Sequence, residues 1–152
     1  SFIRVESDEV TYPLHIILRF NLEQKLFNDE IKIKDIPELW NAEYKRLFNN
    51  DIDNDSNGCL QDVHWYAGLF GYFPTYSLGA LTAAQLAYQL RTDITNLDTQ
   101  IEKGNFKELL QWLKTNVHSK ASLYSSSDIL QQVTNSKLNV KYFEDYVKNR
   151  YL

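Results

Sequence analysis

The sequence predicts an all-α fold. Apolar residues recur at steps of three and four in segment after segment of the 152 residues, the spacing of one helix face. No stretch keeps a period-two alternation for long, and no hairpin turn signal appears. The longest periodic run is rich in alanine, and small residues on successive turns let another helix or backbone come close.

The elements follow in order. Val10, Leu14, Ile17, Leu18, Leu22 and Leu26 form one stripe. Thr11 can cap that helix, with Pro13 in the first turn where its missing donor does little harm. If the helix starts near Arg4, Pro13 is instead a kink. Residues Asn28 to Lys34 break the period. Asp35-Ile36-Pro37-Glu38 reads as a capping box with proline in the first turn, followed by the stripe Ile36, Leu39, Trp40, Tyr44, Leu47 and Phe48. Asn49 to Gly58 is a polar loop with alternating aspartates. The glycine-aromatic run after it reads as turns with short helical pieces. Ser77 to Ile94 is a long helix with Ala80, Ala83, Ala84 and Ala87 on successive turns. Phe106, Leu109, Leu110, Leu113 and Val117 mark a helix started by Asn105. Ser127 caps a short one through Val133, and Val140, Phe143, Val147 and Tyr151 mark the last.

Length and composition set limits on function. One domain with a real core fits 152 residues. A net charge of −4 and the absence of a basic stretch argue against nucleic acid, where phosphates must be neutralised. No apolar run approaches the ~18 residues of a membrane helix. A single cysteine excludes an internal disulfide and fits the cytoplasm. There is no methionine, even at position 1, so the chain is expected to be a piece of a longer product or to begin at a tag scar.

Unusual chemistry concentrates in Gly58-Cys59-Leu60-Gln61-Asp62-Val63-His64-Trp65 and on through Gly71-Tyr72-Phe73-Pro74-Thr75-Tyr76 to Gly79. A carboxylate, an imidazole, an amide and aromatic hydroxyls beside glycines are the material of a binding cleft. His64 can donate to a developing oxyanion, as can the Tyr72 and Tyr76 hydroxyls. The alternative is that His64 and Trp65 are core residues with satisfied hydrogen bonds. Arg4 and Asp8 stand one helical turn apart. They form either a surface ion pair of little worth or an arginine held by a carboxylate so that its fork can grip a substrate carboxylate.

Other chemistries fit poorly. Asp51, Asp53, Asp55, Asn57 and Asp62 resemble a calcium loop, but Ser56 stands where glycine makes the sharp turn, and the last ligand is not a glutamate. A zinc hydrolase helix needs two histidines one turn apart. His15, His64 and His118 are the only histidines, so no metal ligands are expected in this chain. Cys59 has no marks of an activated thiolate and reads as a buried inert thiol.

Two long motifs in order carry a family resemblance. Gly58-x-x-Gln61-Asp62-x-His64-Trp65, with Gly71-Tyr72-Phe73-Pro74-Thr75-Tyr76-x-Leu78-Gly79, resembles a late motif of the Taq-type thermostable metallocarboxypeptidases. Ile3-Arg4-Val5-Glu6-Ser7-Asp8-Glu9 resembles another, with Ser7 in place of an alanine. Thr11-Tyr12, His15-Ile16, Trp112-Leu113, Asn116-Val117-His118 and Tyr142-Phe143 through Tyr146 to Arg150-Tyr151 extend the similarity over the whole chain. Ala121 and Asn135 fall where glycine is usual.

The resemblance implies a larger helical zincin-type peptidase fold, of which this chain resembles the carboxy-terminal third. The family's His-Glu-x-x-His zinc site, a later glutamate ligand and two earlier motifs lie upstream and are not in this sequence. The resemblance makes Arg4 a contact for the carboxylate of a peptide substrate, with Asp8 orienting it. It makes Gln61 and Asp62 substrate-binding walls, and His64, Tyr72 and Tyr76 catalytic candidates beside zinc. It implies an upstream metal-binding portion as partner and inactivity of this chain alone. The competing expectation is a non-catalytic helical remnant that self-associates, for instance as a homodimer, through the surface its missing half once covered.

Overall fold

The computed structural model describes residues 1–152 and contains helices and turns but no strand. The α-helices are α1 (Tyr12–Phe27), α2 (Ile36–Phe48), α3 (Pro74–Asp93), α4 (Leu97–Glu102), α5 (Lys107–Asn116), α6 (Ser126–Thr134) and α7 (Lys141–Tyr151). Single 3-10 turns lie at Arg4–Glu6, Ile33–Asp35 and His118–Lys120. No helix is long and apolar enough to cross a membrane. The chain divides into two units, Ser1–Ser77 and Leu78–Leu152.

In the first unit, the apolar spacing of α1 and α2 lets the two helices bury one face each. Leu18 and Leu22 of α1 meet Ile36, Trp40 and Tyr44 of α2, with Cys59 completing the cluster. Pro13 sits in the first turn of α1, and the earlier residues form a separate 3-10 turn, so the proline kinks nothing. Thr11 makes no side-chain cap. Asp8 instead closes the turn just before the helix, accepting from the Val10 amide at 3.0 Å and the Thr11 amide at 2.9 Å. The expected capping box at Asp35 is not formed on α2, because the Asp35 carboxylate accepts from the Lys32 amide at 2.9 Å and closes the preceding turn. α2 ends on Asn49 in the left-handed region at φ 52°, which asparagine tolerates better than most residues.

Residues 49–73 contain no helix at all, where short helical pieces were expected. The motif glycine Gly58 explains part of this. A Cβ there would lie 3.3 Å from both the Asn54 carbonyl oxygen and Ile52 Cγ2, so the backbone folds on itself at that point. Gly71 has φ +77°, a conformation that helices exclude and glycine adopts at low cost. Cys59 is buried, and burial first, then the Asp55 charge, raises its thiol pKa.

In the second unit, Leu90 of α3, Ile94 and Leu97 of α4 form a small core, packed by Ile101, Leu109, Trp112 and Leu113. α6 is capped by Ser125, whose hydroxyl accepts from the Asp128 amide at 3.1 Å, and not by Ser127. Gln85 is fully buried on α3. Its amide donates to the Thr134 hydroxyl at 2.9 Å, and its oxygen accepts from the Asn139 amide at 3.0 Å. One side chain thereby fixes the whole α6–α7 connection.

The two positions where the resemblance leads one to expect glycine both have positive φ, Ala121 at 45° and Asn135 at 54°. Ala121 has ψ −127° and follows Lys120, whose carbonyl accepts from the Leu123 amide at 3.0 Å. That is the first central position of a type II′ turn, where a Cβ is strained. Replacing Ala121 with glycine is therefore expected to stabilise the chain by about 1 kcal/mol, measurable as a rise in the urea midpoint at unchanged slope.

Candidate functional site

The sequence motifs converge on one carboxylate. Asp62 lies in the helix-free loop and is held by two arginines from different elements. Arg4, in the first 3-10 turn, donates to Asp62 Oδ1 from Nε at 3.1 Å and from Nη2 at 2.7 Å. Arg19, on α1, donates from Nε to Asp62 Oδ2 at 2.7 Å. Arg19 is fully buried and Arg4 nearly so. Charge-assisted bonds of this kind are the strong ones. Burial alone works to raise the Asp62 carboxyl pKa, but the bonds and charges of the two arginines outweigh it and hold the group below the usual carboxylate range. Burial pushes Arg19 down to about 10 against the pull of Asp62, so it stays charged at neutral pH.

Gln61 locks the same junction. Its oxygen accepts from the Arg4 amide and from Arg19 Nη2, both at 2.8 Å. Its nitrogen donates to the carbonyls of Phe2 at 3.1 Å and Asn57 at 2.7 Å. These four bonds use the full capacity of a side-chain amide. Asp8 makes no bond to Arg4. It closes the turn before α1, and the i,i+4 pair anticipated from spacing gives way to a pair 58 residues apart. The reason is geometric: a 3-10 turn ends at Glu6, so residues 4 and 8 do not share a continuous helix face.

Aromatic rings enclose the charges. The Arg4 guanidinium lies 4.8 Å from the Tyr76 ring centre and also donates to the Tyr12 hydroxyl. Arg19 lies 4.5 Å from Trp40 and 5.2 Å from Phe73. Such stacks add to the stability of a desolvated cation. Phe73 also stacks on His64 at 4.4 Å, so one buried ring touches an arginine and the imidazole together.

His64 is buried. Its Nε2 is 2.9 Å from the Tyr76 hydroxyl. Its Nδ1 has no hydrogen-bond partner and faces Asp62 Oδ1 at 3.9 Å, beyond hydrogen-bond range. Burial first, and the two arginines after it, lower the His64 pKa against the pull of Asp62, which favours the neutral ring. A proton on Nδ1 faces the Asp62 carboxylate favourably, which leaves Nε2 to accept from Tyr76. Tyr72 is the exposed member, 44% accessible, with its ring 5.6 Å from Tyr76 and 5.7 Å from His64.

The loop acids anticipated as poor calcium ligands have other partners. Asp51 pairs with Lys45 at 2.7 Å, and Asp53 accepts from Asn57 at 2.8 Å. No three His, Cys, Asp or Glu side chains converge in a way that could hold a metal ion, so the residues of this chain do not fit a metal centre by themselves.

Residues 1–151 match the family model described as carboxypeptidase Taq (M32) metallopeptidase. The chain belongs to that family. Carboxypeptidase 1 of Bacillus subtilis is 44% identical over 151 residues, and thermostable carboxypeptidase 1 of Pyrococcus furiosus is 42% identical over the same length. Both alignments cover 99% of this chain and 30% of the relative, so the chain spans about a third of its curated relatives. Solved structures agree. The Trypanosoma cruzi metallocarboxypeptidase 1 superposes with a TM-score of 0.95 at 37% identity, covering 99% of this chain and 32% of that one. A Pyrococcus furiosus carboxypeptidase structure gives 0.97 at 42%, covering 99% and 30%. The all-α class expected from periodicity and the family expected from the motifs both stand.

Sequence reasoning missed Arg19, Glu23 and the central place of Phe73. His15, Arg19 and Glu23 are all buried and recur every four residues along α1. A polar stripe on a helix whose neighbours Ile16, Leu18 and Leu22 are core was the available signal.

Proposed function

We propose that this chain forms one wall of the active cleft of a zinc-dependent metallocarboxypeptidase that releases C-terminal amino acids from peptides. The observation that carries the reading is the accessible Tyr72 beside a largely buried, hydrogen-bonded Asp62–Arg4–His64–Tyr76 assembly. Tyr72 is the oxyanion donor for the scissile carbonyl, because it is the more exposed residue while the Tyr76 hydroxyl is bonded to His64. His64 and Tyr76 hold each other and back the Tyr72 ring. Arg4 takes the terminal carboxylate with N–H groups not committed to Asp62 and Tyr12. Its side chain is only 5% exposed, so it meets the peptide at the edge of the guanidinium. Gln61, Asp62 and Asp8 act one step back, fixing Arg4 and the start of α1.

Zinc belongs to the upstream portion of the family fold, and this chain alone is inactive. The same portion covers the apolar face of α1, where Ile17, Phe20 and Phe27 are all exposed, in preference to a second copy of this chain. The lone buried cysteine suits a cytoplasmic setting.

The test grafts this chain onto Bacillus subtilis carboxypeptidase 1 in place of the residues it matches. The zinc-loaded graft should release C-terminal residues from a peptide, Tyr72→Phe should slow turnover by about 10²-fold, and this chain alone should release none. A folded graft that binds zinc yet releases nothing would overturn the proposal.

A further inference from the structure

The geometry points to Glu23 as a positioning residue that holds the two ends of the His64–Tyr72 loop in register. Glu23 lies on α1 and is 4% exposed. One carboxylate oxygen accepts from Trp65 Nε1 at 2.8 Å, and the other accepts from the Gly71 amide at 3.1 Å. Trp65 is the covalent neighbour of His64, and Gly71 that of Tyr72. A single buried carboxylate therefore grips the residue after one candidate catalytic side chain and the residue before the other.

Phe27 of α1 packs on Phe70 at 5.2 Å and Trp65 packs against the Leu18–Leu22 core, but Glu23 is the α1 side chain that hydrogen-bonds both points, and the loop between them has no regular structure. Its internal bonds, such as Leu69 amide to His64 carbonyl at 2.8 Å, shape the turn but do not fix it to the helix. Gly71 must present its amide to Glu23 from a left-handed conformation, φ +77°, and a Cβ there would meet nothing within 4 Å. The glycine is thus required by backbone direction and not by crowding. The carboxylate suits the task because it accepts at both oxygens, whereas an amide of equal size accepts at one and opposes a donor with the other.

The functional consequence rests on the reading of His64 and Tyr72 given above. Small displacements of catalytic groups are costly to turnover. Releasing either end of the loop lets the Tyr72 ring drift from His64 without removing any group that touches substrate.

The test has two arms. In the 152-residue chain, hydrogen exchange of the Trp65 indole N–H and the Gly71 amide should show the two groups opening together. Glu23→Gln should speed exchange at one or both by at least about 10-fold and weaken the His64–Tyr72 ring cross-peaks in NMR, with the helical signal retained. Independent opening of the two groups in the unaltered chain would overturn the clamp, and this measurement decides the matter even if Glu23→Gln fails to fold. Unchanged exchange and cross-peaks in a folded Glu23→Gln chain would overturn it equally. In the graft, Glu23→Gln should lower kcat by about 10-fold or more with KM within about twofold. An inactive unaltered graft sinks the functional reading, and the exchange arm still decides the clamp. An active graft whose kcat is untouched by Glu23→Gln sinks the positioning role.

Discussion

Asp62→Asn is expected to destabilise this chain by about 3–5 kcal/mol, the usual cost of removing one partner from a buried ionic network. Arg4 and Arg19 would keep their charges with side chains 5% and 0% exposed. The new amide would accept from one arginine and oppose the other with its own N–H groups. A domain of this size holds about 5–15 kcal/mol in all, so a large part of the margin goes. Urea denaturation reads the effect directly. Arg4→Leu should cost less than Asp62→Asn, since Asp62 then keeps Arg19. The reverse order would mean that Asp62 is not the centre of the network. The sign with pH follows from the lowered Asp62 pKa. Its stabilisation is complete above the unfolded value of about 4 and is lost as pH falls through the folded one.

His15 is expected to govern stability in a milder range of acidity. Its ring is fully buried with neither nitrogen hydrogen-bonded. Phe48 packs on it at 4.5 Å and Tyr44 at 5.9 Å. Burial first, and then the charges of Arg19, the amino terminus and Arg4, lower its pKa to about 4, while Asp62 pulls the other way. The unfolded chain binds a proton on this residue below about 6.5 and the folded chain does not until about 4. Stability is therefore fully present above about 6.5 and falls by about 3 kcal/mol as pH drops toward 4. His64, lowered in the same direction, adds to the slope. His15→Phe should flatten most of the dependence and raise stability at pH 5, because a ring without orphaned nitrogens fits the same stack. Melting temperatures at pH 5 and 7.5 would show it. An unchanged slope in His15→Phe would mean the folded ring already accepts a proton.

What was legible in the sequence follows from which forces are local. α1, α2, α3, α5, α6 and α7 announce themselves because an amphipathic face repeats within every turn. α4 does not. It has six residues, and only Leu97 and Ile101 repeat within it, too few for a period to emerge. The start of α3 at Pro74 was set three residues late, because Phe73-Pro74-Thr75-Tyr76 reads as motif before it reads as a first turn. In the site, Asp62, His64 and the tyrosines stood out because glycines and aromatics crowd around them. The partner of Arg4 did not, since a four-residue spacing suggests a pair where the chain in fact makes one 58 residues away. Arg19 and Glu23 were hidden for the same reason. Their partners lie 43 and 42 residues off, and only folding brings them together.

The helix-free loop has a consequence for the order of assembly. The bonds that dock it on the chain's first residues and α1 span 42 to 59 residues of chain, and none is made within a helix. Each needs a large loop to close before it returns any free energy. α1 and α2 can therefore form and pack while the loop is still undocked, and the two arginines, the imidazole and the tyrosines come into register only when the loop lands on α1. Loop-closure cost therefore puts the site late in the expected order of assembly.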